Sequence, residues 1–227
     1  MHGFAGPGGV SPASVDRAGN AHLIHAAARA GVAFVLVSVV GASPGHPIGL
    51  FRAKHAAEDM LRSSGIPWTM VRATALMETW ATIMSHPLQA SGMIPVFGRG
   101  DNPVNFVSAA DVATPAELAI TGSGLRGQVL ELGGPDNLTF NELAATVQET
   151  TRRRGTVRHI PRHAVQAMAW LTAAIKPALA RQARAALAMD TFDPTPTRRA
   201  FPDLPETGIR LALKDLLQGD RRERRPG

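Results

Sequence analysis

Apolar positions along the chain change their period several times, and each change marks an element. Between Val15 and Ala30, Leu23, Ile24 and Ala27 recur at helical spacing beside Ala26 and Ala28, and Gly31 is placed to end that helix. From Ala33 to Val40 the chain is continuously apolar and rich in β-branched residues, with Ser38 as the one polar interruption. Such a run suits a parallel strand covered by helices on both faces. Gly41 to Gly49 reads as a loop. Leu50, Ala53, Ala57, Met60 and Leu61 then restore the helical period up to Gly65, and Trp68 to Arg72 forms a second short strand. Strand, helix and strand in this order predict a right-handed βαβ unit.

Beyond Thr74 the pattern loosens. Ile94 to Phe97 and Val104 to Val107 are short strands around the turn-rich 98–103 segment, and Ser108 with Asp111 reads as a capping box opening a helix. Pro115 inside that helix is expected to kink or shorten it. Gln128 to Leu132 is a third core strand. Thr139 is placed to cap a helix with Glu142 reaching back, a helix expected to run to about Arg152. A strand at Val157 to Ile160, helical stretches across 162–189, a Pro-rich loop and a last amphipathic helix near 207–218 complete the reading. The final DRRERRPG reads as a frayed tail.

Composition narrows the function classes. With 227 residues, 44% hydrophobic and 19% charged, the chain reads as a folded, soluble protein able to bury a core without staples. No apolar run approaches the roughly 20 residues that span a bilayer, and MHGFAGPGG lacks the regions of a secretory signal, so a cytoplasmic location is the default and no membrane partner is expected. Zero cysteines exclude disulfides, thiolate catalysis and cysteine-ligated metals, and zero tyrosines exclude a phenol as proton donor. The net charge of +6 is uneven: residues 1–150 carry −3 and residues 151–227 carry +9. Because 21 of the 24 basic residues are Arg, the excess reflects coding bias and not a nucleic-acid partner. The run Arg152 to Arg154 with Arg158 and Arg162 reads as a solvated helix end, since no aromatic platform accompanies it. His46, His55, His86, His159 and His163 lack the spacing of metal ligands and read as solvent-exposed, so no metal is expected.

The order of the Asp16-Arg-Ala-Gly-Asn20 helix, FVLVSVVGAS, FRAKHAAEDMLRSSGIPWTMVRAT, FVSAADVA, LELGGPDNLTFNELA and TFDPTPTRRAFPDLP resembles the NmrA-like branch of the atypical short-chain dehydrogenase/reductases. The resemblance covers nearly the whole chain. It implies an α/β fold, the C-terminal part of a Rossmann-type doubly wound parallel sheet followed by a small, mostly helical C-terminal region, with NAD(P) as cofactor, its form open. On this reading residues 1–135 are an incomplete dinucleotide-binding domain with a 74–110 excursion, 136–218 a substrate or partner region, and 219–227 a disordered tail. A Gly-rich phosphate turn between a first strand and helix is not found. Gly6-Pro-Gly-Gly9 resembles instead the loop after the family's fourth strand, which makes Gly6 a cofactor-side candidate. The chain is therefore expected to begin in mid-domain, to bind the dinucleotide weakly by itself, and to expose the hydrophobic edge of the Phe34 to Val40 strand.

The resemblance also assigns roles. Lys54 matches the family lysine that holds the nicotinamide ribose, whereas the position of its tyrosine is Leu50. Lys54 as a solvated partner of Glu58 is the alternative. Ser38 matches the region of the family serine that orients a carbonyl, or else bonds backbone at the strand end. Ala73 and Thr74 stand beside Arg72 at the sheet's carboxyl edge, where open α/β sheets bind ligands, and Thr74 as a helix cap is the alternative. The implied activity is hydride transfer to a quinone-like small molecule without a tyrosine. A dinucleotide-binding redox sensor that docks a partner protein, or a fragment without cofactor binding, is the rival reading. A homo-oligomer remains compatible with both.

Overall fold

The computed structural model describes residues 10–135, 137–189 and 207–214. The chain enters through π-helical turns at Pro12–Gly19, capped by a reciprocal Ser11/Ser14 box, and continues into α1 (Asn20–Ala30), which Gly31 closes at φ 64°. A Cβ is disfavoured at that φ, so glycine is the residue that stops this helix. Then follow β1 (Phe34–Val39), α2 (Gly49–Ser63) and β2 (Trp68–Ala73), the βαβ unit the apolar runs predict. β3 (Ala75–Leu76), α3 (Met77–Ser91), β4 (Met93–Phe97), β5 (Val104–Val107), α4 (Ala109–Thr121) and β6 (Val129–Leu132) come next. β7 (Asn137–Leu138), α5 (Phe140–Thr151), β8 (Thr156–Ile160), α6 (Arg162–Leu171) and α7 (Pro177–Met189) close the described order, with a short helical piece inside 207–214.

The sheet that carries the site has the order β1-β2-β6, all parallel, with Phe34 opposite Trp68 and Met70 opposite Val129. Side chains alternate across it with period 2. Leu36 and Met70 face α1 and α2, packing with Ile24, Ala57 and Leu61, whereas Val71, Ala73, Leu130 and Leu132 face α4 through Val112. Helices on both faces explain why these strands read as unbroken apolar runs. Among the described residues β1 pairs only with β2, and Val37 is 43% exposed, so β1 is an edge strand, as expected.

A second layer holds β3-β5-β7 and the parallel pair β4-β8. Its core joins α3, β4, β5 and α5 around fully buried Phe106, with the Trp80 and Phe140 rings 4.9 Å apart. Ile209, Ala212 and Leu213 bury against this cluster, placing the late amphipathic helix on it. Thr139 and Glu142 form the reciprocal capping box expected, and the bonds from the Thr139 backbone and hydroxyl hold the Glu142 carboxyl below the usual carboxylate range. The Ser108 box does not form as expected. Ser108 accepts from the Ala110 amide, but its hydroxyl donates to Glu78, which also takes the Ala109 amide. Asp111 instead clamps Thr207, accepting from its amide at 2.8 Å and its hydroxyl at 2.6 Å. α4 continues through Pro115 to Thr121 without being cut short.

Candidate functional site

Register creates the site's polar heart. Ser38 on β1, Arg72 on β2 and Glu131 on β6 are successive partners across three parallel strands, so all three side chains project from one face. α2 crosses that face and lowers Glu58, four residues beyond Lys54, into the row. Glu58 is fully buried and every contact it makes is charge-assisted: Arg72 Nε and Nη2 donate to its two oxygens at 2.9 and 2.6 Å, and the Ser38 hydroxyl donates at 2.6 Å. Arg62 adds a contact at 3.2 Å, and Arg72 reaches on to Glu131 at 3.1 Å. Burial alone would raise the Glu58 carboxyl's pKa, but the Arg72 and Ser38 hydrogen bonds and the Arg72 and Arg62 charges outweigh it and hold it below the ordinary range. The hydrogen bonds that Arg72 donates to Glu58 in turn raise the pKa of its guanidinium.

Lys54 lies one turn earlier on α2 and is also buried. Its ammonium donates to the Val37 carbonyl at 2.9 Å and faces Asp16 at 3.1 Å, with Asp16 fully buried. The Glu58 partnership expected of a solvated lysine is thus replaced by an interior pair with the π-helical entry segment. Of the sequence candidates, the structure brings Ser38 and Lys54 together around β1 and α2. Ala73 ends β2, and Thr74 follows at the carboxyl edge. Thr74 is not a helix cap, since α3 starts after Leu76; its amide donates to the Leu132 carbonyl and its hydroxyl to Asn105 Oδ1 at 3.0 Å. Gly6 lies outside the described residues.

Asn105 was invisible to the pattern yet ties this edge together. Its side chain takes the Gly134 amide at 2.9 Å and donates to the Gly134 carbonyl and to Asn137. Gly134 approaches β5 so closely that a Cβ there would sit 1.8 Å from the Phe106 carbonyl oxygen. His46 also departs from expectation: it is buried, stacked on Phe51 at 4.0 Å, and its Nδ1 accepts from the Ile48 amide. Burial first, and then the Arg52 charge, lower its pKa. No group of three metal-ligating side chains converges among the described residues.

At the start of α2 opens a cavity of about 480 Å³, whose lining includes none of Ser38, Lys54, Ala73 and Thr74. Its walls come from the π-helical entry segment, the β1–α2 loop, the first turn of α2 and α7, and Leu50 is part of its lining. This is the carboxyl side of β1, and the volume falls within the usual range for small-ligand sites. Arg17, Arg52, Arg181 and Arg184 also line it, four residues that nothing in an arginine-rich sequence distinguishes.

If Lys54 has the role the family resemblance implies, a bound dinucleotide's ribose would lie near it, and the donors here fit that group at one point. Lys54 donates one ammonium hydrogen to the Val37 carbonyl and is paired by charge with Asp16 at 3.1 Å, so its three-donor ammonium keeps capacity for a hydroxyl. Ser38 and Thr74 have their hydroxyl hydrogens engaged within the fold, so they shape the edge more than they offer donors.

A family profile described as NAD(P)H-binding matches residues 4–116. A (4-alkanoyl-5-oxo-2,5-dihydrofuran-3-yl)methyl phosphate reductase of Streptomyces griseus is 32% identical over 105 residues, covering 45% of this chain and 36% of the relative. Quinone oxidoreductase 2 of Escherichia coli is 28% identical over 139 residues, covering 61% and 48%. The structure of the NADPH-dependent quinone oxidoreductase from Escherichia coli in complex with NADPH superposes with a TM-score of 0.67 at 25% identity, over 87% of this chain and 70% of that one. The chain spans between 35% and 48% of the length of the first curated relatives it matches. The α/β sheet, the profile match and these relatives agree, and the chain belongs to the NAD(P)H-binding family of Rossmann-type oxidoreductases, in its NmrA-like branch.

Proposed function

We propose that this protein transfers hydride from NAD(P)H to a quinone-like acceptor without a protein phenol as proton donor. The observation that carries the reading is Leu50: an aliphatic side chain, at the position of the family's tyrosine, lines a cavity at the carboxyl side of β1. When bound, NAD(P)H supplies the hydride, and a quinone can take its proton from water, so the missing phenol does not block the reaction. Lys54 holds the ribose through an ammonium hydrogen, and the charge of buried Asp16 and the Val37 carbonyl fix where that ammonium sits. Ser38, Glu58 and Arg72 act as a rigid floor: the interlocked bonds keep α2 seated on β1 and β2. Leu50, with Ile48 and Ala185 packed around it, offers an apolar wall to a planar ring.

The test is steady-state oxidation of NADH and NADPH by a panel of quinones, with equilibrium titration of each dinucleotide alongside. Quinone-dependent consumption supports the reading. Saturable dinucleotide binding with no turnover on any quinone overturns it in favour of the redox-sensor reading, which the internally satisfied Ser38 and Glu58 would also suit.

A further inference from the structure

The α2 cavity combines features that hydride transfer to a neutral quinone does not need. Four arginines, Arg17, Arg52, Arg181 and Arg184, line it from three separate elements, and among the described residues no acidic one does. Arg52 donates only to the His46 and Pro47 carbonyls, and neither it nor Arg17 nor Arg184 meets a carboxylate among the described residues. Arg181 donates to the Val10 carbonyl at 2.9 Å. The cavity is also bounded by the start of α2, whose N-cap residue, Ile48, gives no side-chain cap, so the positive end of the helix dipole adds to the same field. Like charges gathered on one wall repel, and a concave site focuses that potential toward whatever enters. Apart from Ser11, the remaining lining is apolar, Ile48 and Leu50 among it.

We infer that this cavity selects acidic acceptors, planar or apolar molecules carrying a carboxylate, sulfonate or phosphate group, with the arginines holding the anion and Leu50 and Ile48 packing the body. The inference rests on the hydride-transfer reading for the word acceptor, but the anion site itself is tested without turnover. The Arg17 and Arg184 side chains are exposed and make no hydrogen bond or ion pair with another described residue, so their replacement is expected to leave the fold intact.

The probes are naphthalene sulfonate and the neutral naphthalene sulfonamide, titrated against the full chain by calorimetry without dinucleotide. The sulfonate binds more tightly, by about tenfold or more, and each of Arg17→Gln and Arg184→Gln removes up to about tenfold of that preference. Arg184→Lys retains part of it, and rising salt erodes it. In turnover, a sulfonated naphthoquinone has a higher kcat/KM than its unsulfonated parent, and the same variants narrow the gap.

Equal affinity for sulfonate and sulfonamide overturns the inference, as does a preference indifferent to both variants. Variants that weaken NADPH binding while leaving the sulfonate untouched overturn it too, because they assign the guanidiniums to the cofactor's phosphates. Arginine-dependent sulfonate binding in a protein that oxidises NADPH with no quinone overturns hydride transfer and leaves the anion site standing.

Discussion

Glu58→Gln isolates the network on which the site is built. The substitution keeps the shape of the side chain and removes its charge, leaving Arg72, whose side chain is 19% exposed, with Glu131 as its remaining carboxylate. Glu58 itself is fully buried, so its loss falls in the class of broken interior ion pairs, about 3–4 kcal/mol. Arg62 is 37% exposed at its side chain and is screened by solvent, so its contact contributes little to that figure. For a chain of this size each kcal/mol moves Tm by about 2–4 °C, which gives a fall of roughly 6–16 °C. Urea unfolding at constant m-value measures the loss directly. The pH dependence has a definite sign. The folded Glu58 carboxyl titrates below its unfolded value, so the wild type's advantage over Glu58→Gln is fully present above about pH 4.3 and is lost as pH falls through the folded pKa. A deficit under about 1 kcal/mol at neutral pH, or one that persists unchanged in acid, refutes the reasoning.

Other perturbations probe separate joints. Lys54→Ala removes the partner of buried Asp16 and weakens dinucleotide binding; pairing it with Asp16→Leu should restore much of the stability but not the affinity, as unfolding and titration with NADPH will report. Leu50→Tyr places a phenol four residues before Lys54 and should introduce reduction of simple carbonyl compounds, measured against the parent chain, which should have none. Gly134→Ala drives a Cβ into the Phe106 carbonyl and should cost more than about 2 kcal/mol, or prevent folding, in a denaturation series. Asp111→Ala frees Thr207 and should speed amide hydrogen exchange at Ile209 and Leu213 while exchange in β2 stays as it was.

The elements legible in the sequence are those whose signal is local. The apolar runs of β1 and β2 follow from burial on both faces, and Thr139 with Glu142 announces a cap because both partners lie within one turn. What escaped depends on contacts distant along the chain. Ser108 and Asp111 have the spacing of a box, yet Glu78 and Thr207 compete successfully for them from 30 and 96 residues away. The burial of His46 comes from stacking on Phe51, and the roles of Asp16 and Asn105 arise only when the entry segment meets α2 and when β5 meets Gly134. Lys54 and Ser38 are singled out by the family resemblance, but their interior partners are not, since Asp16 and Glu58 reach them from helices packed on β1 and no periodicity reveals that.

The most direct test of the central claim is a single-turnover reaction of the chain with NADPH deuterated on one face of nicotinamide C4, with a naphthoquinone as acceptor. The account predicts acceptor-dependent loss of NADPH that slows for one deuterated face and not the other, the mark of direct hydride transfer from a fixed pose. NADPH that stays intact with the quinone present, or is consumed at a rate indifferent to deuterium on either face, contradicts it.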